Sequence, residues 1–240
     1  MDTVEYSDSL NDQINNKIIV TINAVLPVEK NSTKPEPLSK LISETIFNIA
    51  NDTTAGNIQT TIKKYAQSIL DSYRTPGNDN IAIPQYKNEN APIYKYEIIN
   101  DVKPIYDNAS ILCFCRTSEM KKNGKQTILS KYYYSFNRTN NTRISVTDIF
   151  NYEDINIINS LLKDKLMRQE QVESQSQLID MGYFNIENLE VNNNLYFTDK
   201  GIVFNYEPFE IACYAIGEVS IELDYEILKP YLKQDFTNNQ

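Results

Sequence analysis

Four carboxylates crowd into one short stretch near the C-terminus: Glu207, Glu210, Glu218 and Glu222. Paired carboxylates can cleave a glycoside when one is held protonated and the two groups lie about 5–9.5 Å apart. The pattern around these four favours another use. Glu218 and Glu222 belong to the alternating run GEVSIEL with Ser220, the polar face of a strand. Glu207 precedes Pro208 at a strand end. Glu210 sits inside the apolar run PFEIACYAIG, where its carboxylate either accepts backbone N–H groups of a turn or touches a ligand. A carboxylate-based hydrolase is therefore kept as the alternative function, and no residue is assigned a catalytic role.

The remaining chemistry is narrowed by what the chain lacks. It has no histidine in 240 residues, which removes the commonest general base and the His-dependent nucleophile and zinc arrangements. Of its three cysteines, Cys113 and Cys115 lie two apart in the apolar run ILCFC and share one strand face. They read as small buried hydrophobes, with a disulfide from Cys213 to one of them left open. No metal site and no cofactor is expected. Tyrosine is abundant, 17 residues beside 9 Phe and no Trp. In Tyr132-Tyr133-Tyr134 a strand sends the middle ring to the face opposite its neighbours. The exposed rings then either stack on a sugar or partner surface or form ordinary cross-strand pairs.

A formal net charge of −9 argues against phosphate-backbone binding and against an anionic membrane surface. No apolar run reaches the ~18 residues needed to span a bilayer. The first residues, MDTVEYSDSLNDQ, are polar and acidic, unlike a signal peptide or an anchor. Two readings stay open: a cytoplasmic protein, or an exported one whose export segment is absent from this sequence.

The elements that must position these residues are legible from periodicity. Residues 1–16 are polar and read as frayed or edge structure. Lys17–Leu26 alternates as a first strand, stopped by Pro27. Leu38, Leu41, Ile42, Ile46 and Ile49 mark one helix face, and Ile58, Ile62, Tyr65, Ile69 and Tyr73 a second. Four strands of an antiparallel meander follow over Ile93–Val102, Ile105–Ser118, Thr127–Asn137 and Thr142–Thr147, with Lys103-Pro104 as the first connector. A helix spans Ile155–Gln171, Leu178–Ile186 is a connector, and Asn192–Asn194 turn into Tyr196–Thr198. Gly201–Tyr206 and Gly217–Leu223 are strands, and Tyr225–Leu232 a short helix. Asp148 caps a turn or helix start, and Gly201 and Gly217 serve backbone geometry. This order gives an α+β fold, antiparallel sheets with helices packed on one side.

Several runs carry a family likeness. Tyr196-Phe197-Thr198-Asp199-Lys200-Gly201-Ile202-Val203-Phe204, then Tyr206-Glu207-Pro208-Phe209-Glu210-Ile211-Ala212 and Tyr214-Ala215-Ile216-Gly217, resemble the signature of RsiV-like C-terminal domains of unknown function. Tyr134-Ser135-Phe136-Asn137 and Ile144–Phe150 resemble the hairpin before it, although Lys122-Asn123-Gly124-Lys125 replaces the Gly-Gly-Ala-His-type turn of many members. The resemblance implies a PdaC-like N-terminal subdomain over residues 15–95 and an RsiV-like domain over 96–235, or one continuous unit. It further implies an extracytoplasmic, non-catalytic binding or sensor module of the bacterial cell envelope. Its ligand would be a lysozyme-like protein or a cell-wall glycan, the substrate also of the alternative hydrolase. Tyr132, Tyr134, Tyr206, Glu210 and Tyr214 are the candidate ligand contacts.

Overall fold

The computed structural model describes residues 1–11, 17–27, 37–49, 58–74 and 95–237. The loops expected between strand and helix, between the two helices and before the meander lie outside the described residues. The chain forms two compact units, one from Met1–Pro104 and Cys115–Lys131, the other from Ile105–Phe114 and Tyr132–Gln240. Fold class is α+β, as the element order requires.

The first unit is built on strands β1 (Asp2–Asn11) and β2 (Lys17–Leu26), helices α1 (Pro37–Phe47) and α2 (Ile58–Arg74), and parts of three long strands. Those strands are β3 (Lys95–Asp107), β4 (Ile111–Lys122) and β5 (Lys125–Asn137), and each gives residues to both units. β1 and β2 pair antiparallel in register from Asp2↔Leu26 to Asn11↔Lys17. The polar first strand is thus an edge strand. β2 and β3 run parallel, Lys17↔Lys95 to Ala24↔Val102, one parallel step in an antiparallel-dominated sheet. A parallel pair needs a long crossover, and both helices of this unit fall within it.

β-Branched alternation fixes the β2 register. Ile18, Val20, Ile22, Ala24 and Leu26 are fully buried on one face, and a one-residue slip would turn all five outward. Each buried Ile or Leu is worth roughly 1.5–3 kcal/mol against leaving it in water. α2 packs on β1 and β2, and α1 on α2. Their buried stripes carry Ile42, Ile46 and Phe47, then Ile62, Ala66 and Leu70. Arg116 of β4 donates to the Ile46 carbonyl at 2.8 Å and to the Tyr65 hydroxyl at 3.3 Å. A cation at the last turn of α1 satisfies a carbonyl there and complements the helix dipole.

Two sequence expectations are corrected in the long strands. Lys103-Pro104 is no turn, because β3 continues through it to Asp107. Pro104 falls two residues beyond the last β2 pair, Ala24↔Val102, where β3 has become an edge on that side and tolerates a residue without N–H. The turn comes at Asn108–Ser110, where the Asn108 side chain accepts from the Ser110 and Ile111 N–H groups at 2.9 and 2.7 Å. The strand expected over Thr142–Thr147 shortens to β6 (Thr142–Arg143), followed by the one-turn α3 (Val146–Ile149). Asp148 accepts from the Ser145 N–H at 2.8 Å, the capping role read from the sequence. The β4–β5 hairpin turns on Asn123 (φ 51°) and Gly124 (φ 79°), the left-handed pair of a two-residue hairpin.

The second unit packs α4 (Ile155–Gln169) against a three-stranded antiparallel sheet of β7 (Leu195–Phe197), β8 (Gly201–Tyr206) and β9 (Val219–Asp224). Every residue of central β8 is buried, so both faces of this sheet are covered. Ile158, Leu162 and Leu166 of α4, with Ile202, Phe204 and Ile221 of the sheet, are fully buried in its core. Helices α6 (Tyr225–Leu228) and α7 (Gln234–Thr237) close the chain. The expected connector Leu178–Ile186 instead opens with helix α5 (Gln175–Met181). Ser174 and Gln177 form its capping box, and Gly182 at φ 105° ends it.

Candidate functional site

The exposed chemistry of the second unit gathers on the connector from Glu207 to Gly217. Tyr206, the last residue of β8, is 2% exposed and donates its hydroxyl to the Glu190 carbonyl at 2.8 Å. Burial, and then the neighbouring Glu210 carboxylate, push its phenol well above the usual range. It therefore anchors the connector as a neutral hydrogen-bond donor.

The next residues form a tight turn. The Glu210 N–H donates to the Glu207 carbonyl at 3.0 Å, and the Glu210 carboxylate accepts from the Glu207 N–H at 2.8 Å. This is the backbone-accepting role considered for Glu210. Pro208 suits the second turn position, but Phe209 occupies the third at φ 70°, a place where glycine is favoured. Bulky residues held there cost on the order of 1–3 kcal/mol.

That backbone throws the Phe209 ring outward. It stacks on Tyr214, ring centroids 5.4 Å apart and planes 25° apart, with the two residues 63% and 59% exposed. Backbone bonds tie the connector to the segment after α5: Phe184 N–H to the Ile211 carbonyl and Cys213 N–H to the Gly182 carbonyl, both 2.9 Å. The end of α5 and the segment after it carry the exposed apolar side chains of Ile179, Met181 and Phe184. From Glu170 to Glu218 the chain carries nine acidic residues and one lysine, Lys200. Exposed aromatic and aliphatic side chains thus lie within an acidic stretch of the sequence.

The other carboxylates engage separate donors. Glu222 accepts from the Thr198 hydroxyl at 2.6 Å, and Glu218 from the Tyr133 hydroxyl at 3.2 Å. Tyr133 also stacks on Tyr196 at 4.4 Å, and its N–H donates to the Asn194 side chain at 2.7 Å. The expected alternation of the three tyrosines is modified: Tyr133 and Tyr134 are both buried, while Tyr132 is exposed. The Arg143 guanidinium lies 5.4 Å from the centroid of the Tyr134 ring and helps cover it. Of the five candidate contacts, Tyr206, Glu210 and Tyr214 share the connector, Tyr206 from the interior. Tyr132 and Tyr134 stand on β5.

Phe209, Phe184, Met181 and Ile179 were not singled out from the sequence. Only the Pro208-Phe209 pair inside a Glu-x-x-Glu turn could have marked Phe209. None of the three cysteines is joined in a disulfide. Among the described residues no three His, Cys, Asp or Glu side chains gather closely enough to hold a metal, and no helix is long and apolar enough to cross a membrane.

Comparison with known proteins places this architecture. No curated protein matches the chain. A crystal structure of a DUF3298 family member from Bacteroides fragilis superimposes with a TM-score of 0.78 at 20% identity, covering 100% of this chain and 97% of that one. A DUF3298 family protein from Pseudomonas aeruginosa gives a TM-score of 0.59 at 10% identity, covering 98% and 94%. These likenesses establish the fold. Residues 147–226, which span α4, the capped α5, the β7–β9 sheet and the whole connector, match the family described as protein of unknown function, DUF3298.

Proposed function

We propose that this protein is a non-catalytic binding module of the bacterial cell envelope, and that the Phe209–Tyr214 surface is where it takes its ligand. The observation that carries this reading is a stacked aromatic pair, more than half exposed, on a turn strained at Phe209. Exposed aromatic patches mark interaction surfaces, and non-glycine strain persists where the surroundings enforce it. The acidic setting suits a basic protein through complementary potential. The likeness of Tyr206–Gly217 to RsiV-like domains supports an extracytoplasmic site and a lysozyme-like protein or cell-wall glycan as ligand. Capture of Glu210, Glu218 and Glu222 by separate internal donors favours this over a carboxylate-based hydrolase.

Calorimetric titration of the chain with a lysozyme and with peptidoglycan fragments tests the proposal. Binding to one of them should weaken about tenfold or more when Phe209 or Tyr214 becomes Ala, the usual loss at an aromatic hot spot. Silence with both ligands, or binding indifferent to both substitutions, would overturn it.

A further inference from the structure

Strand β1 ends the six-stranded sheet, and among the described residues no strand lies on its outer side. Among those residues, no element but β2 sends a backbone hydrogen bond to it either. Its ten residues pair with β2 without a break from Asp2 to Asn11, and it contains no proline. Proteins commonly blunt an edge by shortening it, bulging it or placing proline on it. β1 uses none of these, so its outer side offers backbone donors and acceptors to an added strand.

Side chains of β1 alternate between two faces. Thr3, Glu5, Ser7 and Ser9 are exposed on one, while Val4, Tyr6, Asp8 and Leu10 are half-buried on the other. A cleft of about 380 Å³ opens between β1 and the first turns of α2, lined by Val4, Glu5 and Tyr6 on one side and Thr60, Ile62 and Lys63 on the other. β1 carries Asp2, Glu5 and Asp8 and no cation. Among the described residues none of these three carboxylates enters an ion pair. Asp2 and Asp8 bracket Val4 and Tyr6 at two-residue steps, so one face of the edge reads acid, apolar, apolar, acid. A second β1 laid against this one would set acid against acid. A basic strand would set opposite charges across the pair.

We infer that β1 takes an extended basic segment of a partner protein as an added strand. That segment presents a cation, two apolar side chains and a second cation at alternate positions, opposite Asp2, Val4, Tyr6 and Asp8. Main-chain bonds along the edge supply affinity, and the cleft selects the apolar side chain that enters it. The carboxylates select cations on either side and turn away a second copy of this chain. One strand pair makes a small interface, so binding is weak.

Calorimetric titration of the whole chain with the end-capped peptide Lys-Thr-Leu-Thr-Leu-Thr-Lys tests this. Wild type should bind it with a Kd between about 10 µM and about 1 mM, the range of small interfaces. Glutamate in place of both lysines should weaken binding about tenfold. So should salt raised from about 0.1 M to about 1 M, which shortens the screening length from about 10 Å to about 3 Å. The double variant Asp2→Lys, Asp8→Lys should reverse the preference and bind the glutamate peptide better, with far-UV circular dichroism verifying its fold. A strand pairs through one edge only, so N-methylation of the leucines and N-methylation of the threonines should differ, one abolishing binding and the other sparing it. This comparison uses wild-type protein and needs no variant to fold. Silence of wild type toward the lysine peptide overturns the inference, as does equal binding of the lysine and glutamate peptides or an equal effect of the two methylations. Self-association of wild type that the double variant abolishes would give the edge to a second copy and overturn it too.

Discussion

A Cβ on Gly201 would lie 2.1 Å from the Leu223 carbonyl oxygen and 3.0 Å from the Asp224 Cα. The atoms it meets are backbone atoms of β9, which cannot swing aside as a side chain would. The glycine is therefore required by close approach of β8 to β9. Gly201→Ala should lower stability by about 2–3 kcal/mol through overpacking, read as a drop in the urea midpoint with unchanged slope. A wild-type midpoint would refute the steric account. Cys113 supplies the pH counterpart. Burial pushes its thiol up from 9.0 to about 11, against the opposing hydrogen bond with Ser135. A raised pKa means the fold holds the neutral thiol more strongly than the unfolded chain does. That contribution is whole below pH 9 and is lost as pH climbs through about 11, on the order of 2–3 kcal/mol. Cys113→Ala should flatten the fall in stability between pH 9 and 11. An equally steep fall in the variant would assign alkaline sensitivity to other groups, the buried phenols of Tyr206 and Tyr183 and the half-buried one of Tyr225 first among them, since burial raises each of these too.

Among the elements, α5 depends most visibly on a local device. The Ser174 hydroxyl accepts from the Gln177 N–H at 3.4 Å, and the Gln177 side chain accepts from the N–H groups of Glu173 and Ser174 at 2.7 and 3.1 Å. A seven-residue helix has few bonds of its own, so its cap carries much of its stability. Ser174→Ala should cost about 1 kcal/mol and increase amide exchange in Gln175–Met181 and in the paired Tyr183–Phe184 strip. Exchange confined to Ser174 itself would show that packing of Leu178 alone holds the helix. The same helix shows where sequence reading ends. Long periodic segments such as β2, α2 and α4 are legible because many residues repeat one preference. α5 has a single fully buried residue, Leu178, and only its Ser-x-x-Gln box and closing glycine announce it. Pro104 misleads because a proline's fate depends on whether a neighbouring strand is present, which is a tertiary fact. The site divides in the same way. Glu210 and Tyr214 stand out by type in an apolar run, while Phe209 matters through a positive φ and an exposure that periodicity does not encode.

On the scale of the whole molecule, the chain's path limits how it can be divided. The first unit takes Cys115–Lys131 from beyond the Ile105–Phe114 stretch of the second, so residues 1–104 lack strands belonging to their own unit. Without them β3 becomes an edge, and Ile98 and Val102, buried in the native unit, lose the cover on that side. α1 also loses Arg116, whose guanidinium meets the Ile46 carbonyl and lies 5.9 Å from the centre of the Tyr65 ring. Half-made sheets of this kind seldom repay the ordering of their residues, at roughly 1–2 kcal/mol of backbone entropy each. A fragment of residues 1–104 should therefore show no cooperative thermal transition. A fragment of residues 1–131, with the Ile105–Phe114 stretch left as a protruding hairpin, should melt cooperatively with helical circular dichroism from α1 and α2. The comparison separates two ideas of how the fold is divided. A cooperative transition in the shorter fragment would mean that β1, β2, α1, α2 and the first half of β3 suffice. Its absence there and presence in the longer one would show that the unit closes only when the β4–β5 hairpin returns to it.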